Sequence, residues 1–143
     1  MEPRINVVTL SVRDLERSLA FYREGLGLSS PGVTGTKYPA TDKDAPGDVA
    51  MFELEDGLIL ALYPRTALAK DSNVDPGDAR SGEFSLGQIV PSKDDVDAVL
   101  AQAERAGGTI TEPPRERPWG IYSGYFRDPD GHLWEIIWDS RAR

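Results

Sequence analysis

The chain contains no cysteine, and His132 is its only histidine. Without Cys there is no disulfide framework, no thiol nucleophile, no Cys-based zinc site and no cysteine-ligated iron–sulfur cluster. A lone His likewise excludes a His-rich metal centre within one chain. The lack of disulfides fits a reducing compartment, so a cytoplasmic location is expected. Long apolar runs are missing too. The start, Met1-Glu2-Pro3-Arg4, carries an acid and a proline and leads into only a short apolar stretch, so neither an export signal nor a membrane span is expected. Basic charge is in short supply: 16 Lys+Arg stand against 24 Asp+Glu, a net charge of −8. Such a surface repels polyphosphate and anionic lipid, which argues against nucleic-acid and membrane-surface partners. What remains is 39% hydrophobic and 28% charged over 143 residues. That is an ordinary globular composition, about one domain long, and a chain of this size buries roughly 68–70% of its unfolded surface.

Along the chain, Ile5 to Val12 is a β-branched run predicted as a strand. Asp14 is an N-cap for a helix over Leu15 to Gly25, in which Leu15, Leu19, Tyr22 and Leu26 recur on one face. Ser29 to Asp48 reads as loop around one short strand near Gly35 to Tyr38. Val49 to Leu54 and Leu58 to Tyr63 are strands joined by the turn Glu55-Asp56-Gly57, where Gly supplies a positive φ. Pro64 to Gly82 reads as a connector with a short helix around Ala67 to Lys70. The pattern then starts again. Glu83 to Val90 is a predicted strand, Ser92 and Asp95 resemble a capping box, and Val96, Val99, Leu100, Ala103 and Ala106 mark an amphipathic helix closed by Gly107-Gly108. Thr109 to Thr111 is read as a short strand and Glu112 to Pro118 as a proline-rich loop. Gly120 to Arg127 and His132 to Trp138 are strands around the turn Asp128-Pro129-Asp130-Gly131.

Strand, helix and about three strands thus occur twice. Two anchors align the halves: Val12 with Val90 ahead of the capped helices, an offset of 78, and Asp56-Gly57 with Asp130-Gly131, an offset of 74, which sets Phe52 on Phe126. The four-residue slip is a loop-length difference of the sort duplicated modules accumulate.

The segment Val12 to Leu28 (VRDLERSLAFYREGLGL) near the start and Asp128 to Glu135 (DPDGHLWE) near the end, set in two βαβββ modules, resemble the vicinal oxygen chelate superfamily, which holds lactoylglutathione lyase, extradiol dioxygenases and bleomycin-resistance proteins. The likeness covers about Ile5 to Trp138. It implies an α+β fold in which two βαβββ modules form a curved eight-stranded mixed sheet around a cavity, usually as a homodimer. On that reading residues 1–143 are a single domain with module one at about 5–64, a connector at 65–82 and module two at about 83–139. One fold hosts many sites, so the function has to be argued from the residues.

Metal-using members place one ligand on the first and one on the last strand of each module. Counting five residues back from Val12 and Val90, and four forward from Gly57 and Gly131, the resemblance assigns those positions to Val7, Ala61, Ser85 and Glu135. Only Glu135 is a competent ligand, since an aliphatic side chain offers no lone pair and a catalytic divalent ion generally needs three or more protein ligands. No resident metal or other cofactor is therefore expected. A weakly held divalent ion stays open, because magnesium binds through one or two carboxylates plus substrate oxygens.

His132 follows the turn glycine and lies three residues before Glu135, which puts the two on opposite faces of a strand, so a turn-stabilising role is expected of it. Glu135 sits in an otherwise apolar and aromatic strand (Leu133, Trp134, Ile136, Ile137, Trp138). A carboxylate there is costly unless a cation or donor compensates it. It fits a general base, an anchor for a ligand, or a carboxylate satisfied by Ser85, a tyrosine or water. Trp119 could stack on a planar ligand. Tyr122 and Tyr125 fall on opposite faces, so at most one of them lines the same cavity. The ligand-lining set expected is Val7, Ala61, Ser85, Trp119, Tyr122 and Glu135, with Glu135 the one candidate catalytic group. The expected function is metal-independent binding of a small organic molecule, similar to bleomycin-resistance-type members. The alternative is a glyoxalase-like lyase or isomerase that uses Glu135 for proton transfer. The partners expected are the small molecule and a second copy of the chain.

Overall fold

The computed structural model describes residues 1–77 and 82–141. The chain divides into two compact units, Met1–Asp78 and Ala79–Arg143. The first holds strand β1 (Val7–Val12), helix α1 (Leu15–Ala20), and strands β2 (Val33–Thr34), β3 (Val49–Glu53) and β4 (Ile59–Pro64), followed by helix α2 (Arg65–Ser72). The second holds β5 (Leu86–Ile89), α3 (Lys93–Arg105), β6 (Thr109–Glu116), β7 (Ile121–Arg127) and β8 (Leu133–Asp139). Each unit is thus a βαβββ module with a four-stranded mixed sheet, ordered β1-β4-β3-β2 and β5-β8-β7-β6. In both, the first and last strands run parallel and the other neighbours antiparallel. The α+β class and the repeated module read from sequence are what the structure has.

The register carries the repeat to single residues. Thr9 lies opposite Ala61 in the first sheet as Gly87 lies opposite Glu135 in the second. Met51 faces Ala61 as Tyr125 faces Glu135. The offsets of 78 for first strands and 74 for the last hairpins map one set of pairs onto the other.

Helix starts follow the sequence. The Asp14 carboxylate accepts from the Arg17 N–H at 3.1 Å, and the Ser92 hydroxyl accepts from the Asp95 N–H at 3.1 Å. The first helical run does reach Gly25, but its last five residues, Phe21–Gly25, widen into a π-type turn closed by the Leu26 N–H on the Phe21 carbonyl at 2.9 Å. Each helix covers one face of its sheet. In the first unit Leu10, Phe52, Leu60 and Leu62 are buried there, with Tyr22 against Phe52 at 6.0 Å between ring centroids. In the second, Val96, Leu100, Ala103, Phe126 and Ile136 are buried. There α3 comes so close that a Cβ on Gly124 would lie 2.5 Å from Leu100 Cδ1, the close approach that a strand glycine permits.

Three expectations change. The segment Glu112 to Pro118 is not simply a loop, because its residues up to Glu116 continue β6 and only Arg117 and Pro118 lie beyond the strand. The register shifts between Ile110 and Glu112 and again between Glu112 and Arg115, so Pro113 and Pro114 fall between the paired positions of an edge strand. Proline is tolerated there because no ladder donor is required of it. At the other edge β5 is shorter than expected, so Glu83, Phe84 and Ser85 precede the paired strand. The short strand expected at Gly35 to Tyr38 lies at Val33–Thr34, and the Tyr38 N–H closes a turn on the Gly35 carbonyl at 3.0 Å. In the hairpin turn, Asp56 (φ 63°) joins Gly57 (φ 80°) in the left-handed region. Among the described residues no helix is long and apolar enough to cross a membrane.

Candidate functional site

Directly paired residues of neighbouring strands share a face. In the second unit the helix-covered face therefore carries Tyr122, Gly124 and Phe126 from β7 with Trp134, Ile136 and Trp138 from β8. The opposite face carries Ser123, Tyr125 and Arg127 with Leu133, Glu135 and Ile137. On that second face the Ser123 hydroxyl, fully buried, donates to Glu135 Oε2 at 2.8 Å. Ser123 Oγ in turn accepts from Arg117 Nε at 3.2 Å, and its carbonyl accepts from Arg117 Nη2 at 3.3 Å. The guanidinium carbon lies 5.6 Å from the Tyr125 ring centroid. Burial, foremost, and then the charge and hydrogen bonding of Glu135 push the Tyr125 phenol up, with Arg117 opposing. Tyr125 is a neutral hydroxyl at physiological pH. Glu135 is thus a half-buried carboxylate compensated by a hydroxyl donor and, one hydrogen bond further, by a guanidinium.

Arg117 and Tyr125 open onto a groove of about 610 Å³ within this unit, bounded also by Phe84, Ser85, Thr111, Arg127 and Leu133, with Glu83 and Glu112 beside them. The volume lies within the range of small-molecule sites.

The expected site residues distribute unevenly. Ser85 lines the groove, whereas Glu135 is not among the lining residues; it shares a sheet face with Ser123 and with the groove residues Tyr125, Arg127 and Leu133. Tyr122 is on the helix-covered face, where its hydroxyl donates to Asp97 Oδ1 at 2.7 Å and its pKa is pushed up to about 12, chiefly by that hydrogen bond. Tyr125 takes the place beside Glu135 instead. Trp119 stands exposed in the turn between β6 and β7 and is not among the groove-lining residues. Val7 and Ala61 belong to the first unit, on the face of its sheet away from α1. His132 is in the turn, its N–H bonded to Asp128 Oδ1 at 2.8 Å. Trp134 stacks on Phe126, and Trp138 carries Lys93 Nζ at 5.1 Å from its ring centroid.

Arg117 and Ser123 were missed from the sequence. Ser123 was recoverable, since alternation along β7 places it on the same face as Tyr125, the face that also carries Glu135. Arg117 was not, because its reach to Ser123 depends on the irregular β6 register.

The family model described as Glyoxalase/Bleomycin resistance protein/Dioxygenase superfamily matches residues 4–136. The chain belongs to that superfamily. Within the superfamily, it is 28% identical to a glyoxalase-related enzyme from Fulvimarina pelagi, whose crystal structure superposes with a TM-score of 0.78, covering 96% of this chain and 88% of that one. A virulence protein of Salmonella typhimurium is 26% identical over 136 residues, 93% of this chain and 82% of the relative. A lactoylglutathione lyase from Agrobacterium tumefaciens shares the fold at a TM-score of 0.65 and 24% identity, with 96% and 95% of the two chains covered.

Many superfamily members use a divalent metal, so the donor chemistry here matters. Val7 and Ala61 carry no lone pair, Ser85 offers a neutral hydroxyl, and Glu135 already accepts from Ser123. Among the described residues no group of three or more His, Cys, Asp and Glu side chains is gathered to hold an ion. This donor set does not fit a tightly held catalytic metal.

Proposed function

We propose that the protein binds a small organic molecule in the groove lined by Arg117, which is linked through Ser123 to Glu135, without a divalent ion, and works as a homodimer in the cytoplasm. The observation that carries this reading is the Arg117–Ser123–Glu135 chain. The one carboxylate at the superfamily's ligand positions is held in a hydrogen-bonded polar network of this chain's own side chains. Such a network presents fixed donors and acceptors to a ligand, and the apolar walls Phe84 and Leu133 supply contact area. Superfamily members of the bleomycin-resistance type act by binding, and their name makes sequestration the closest functional analogy.

A second reading is a lyase or isomerase in which Glu135 moves a proton, with a weakly held ion taking part. It is favoured by the 28% identity to a glyoxalase-related enzyme and by the two hydroxyls, of Ser123 and Tyr125, beside the carboxylate. Equilibrium dialysis of the EDTA-treated protein, with and without magnesium added back, against a defined mixture of small metabolites, followed by chromatography and mass spectrometry, separates the two. Binding predicts enrichment of a compound recovered with both its mass and its chromatographic retention unchanged, with or without magnesium. A product of altered mass or, for an isomer, of altered retention that disappears with Glu135→Gln, while the variant keeps its melting temperature, would overturn the binding reading in favour of the second.

A further inference from the structure

We infer that the groove selects small aromatic molecules bearing a single carboxylate, with Arg117 as the anchor for that carboxylate. The inference rests on the small-molecule reading and adds the class of ligand.

Arg117 differs from the other arginines near it. Arg115 is paired with Glu112 at 3.5 Å, Arg127 donates through Nη1 to the Gly131 carbonyl, and Arg141 is paired with Asp139. Arg117 instead spends Nε and Nη2 on the hydroxyl and carbonyl of Ser123. Among the described residues no carboxylate lies within ion-pair reach of it, and Nη1 has no acceptor there. Its own N–H is fixed on the Ile121 carbonyl at 2.8 Å. The guanidinium is therefore a half-buried, oriented cation with donors still available at the groove. Its rotamer freedom is already lost before a ligand arrives, so less is lost on binding. A planar fork of donors matches a carboxylate.

The aromatic part follows from the walls. Phe84 is 51% exposed although it lines the groove, and Tyr125, Leu133 and Phe84 are its large apolar surfaces. An aromatic ring covers such surfaces with few rotors to freeze.

The single charge follows from the acids. Glu83 and Glu112 also line the groove, and Glu135 lies behind Ser123. Of the two arginines that line the groove, Arg127 is bonded to the Gly131 carbonyl and Arg117 keeps donors to offer, so a monoanion is matched by the Arg117 fork, whereas the second charge of a phosphonate dianion finds no further fork and lies near Glu83, Glu112 and Glu135.

Calorimetric titration of the intact protein in EDTA, above the pH of the phosphonate's second ionisation so that it is a dianion, with benzoate, benzamide and phenylphosphonate as probes, tests the inference. Benzoate is expected to bind about tenfold or more tightly than benzamide, its neutral isostere, and more tightly than phenylphosphonate. Arg117→Ala should abolish the preference for benzoate over benzamide. Arg117→Lys, which keeps the charge without the fork and guards against misfolding of the alanine variant, should retain part of it; circular dichroism checks both folds. Equal binding of benzoate and benzamide, a preference that survives Arg117→Ala, or tighter binding of phenylphosphonate would each overturn the inference. If benzamide and other neutral aromatics bind while benzoate gains nothing, the small-molecule reading stands and only the ligand class falls. If none of the probes binds, the inference falls, and the dialysis experiment above decides the broader reading separately.

Discussion

The two modules present the same strand order and register with different chemistry on one face. Val49, Met51 and Ala61 of the first stand where the second has Ser123, Tyr125 and Glu135. On the helix-covered face the correspondence is conservative: Phe52 and Phe126 are both buried, and Ala50 and Gly124 are both small where a helix crosses. One face of each sheet keeps a shared packing pattern, whereas on the other face the positions of Val49, Met51 and Ala61 in one copy correspond to the polar cluster of Ser123, Tyr125 and Glu135 in the other. The fold therefore supplies the geometry twice, and the chemistry of the candidate site is written in one module.

The sharpest way to break this symmetry argument is to remove the matched core residues. Phe52→Ala and Phe126→Ala should each cost about 3–5 kcal/mol, read by denaturant unfolding. Similar losses are expected, because both rings are almost fully buried, at 0% and 1% exposure. If one substitution were nearly neutral, the two faces would not be equivalent cores.

A smaller, module-specific effect belongs to Tyr122, whose counterpart at the offset of 74 is Asp48. The Asp97 hydrogen bond, first, then burial and the charges of Asp97, Glu116 and Asp94 push the phenol up to about 12. An unfolded tyrosine ionises near 10, so the unfolded chain loses this proton first as pH rises. The stabilisation is complete below about pH 10 and is lost between there and about pH 12. Tyr122→Phe should flatten that part of the stability profile, measured as the difference between wild type and variant. An unchanged slope would mean that the Tyr122–Asp97 bond does not persist in solution.

The fold was legible because its signals are local and repeated: two capped amphipathic helices and two glycine-containing hairpin turns. It was least legible at the edges of the second sheet. Pro113 and Pro114 argued against a strand, and only the bulged register shows how β6 passes them without a missing ladder bond. The site was half legible. Glu135 stood out as a carboxylate in an apolar strand, and alternation separated Tyr122 from Tyr125, but nothing in the spacing decided between them until the helix-covered face was known. Arg117 acts through a side chain six residues on across a hairpin, a relation that no simple periodicity carries.

The central proposal is that the residues at the superfamily's metal positions, Val7, Ala61, Ser85 and Glu135, offer too few donors to hold a divalent ion. Calorimetric titration of zinc, nickel, manganese and magnesium ions into EDTA-stripped, dialysed protein tests it most directly. The account predicts no stoichiometric site tighter than about 1 mM, a free energy of about −4 kcal/mol. A one-to-one site in the micromolar range that vanishes with Glu135→Gln would contradict it.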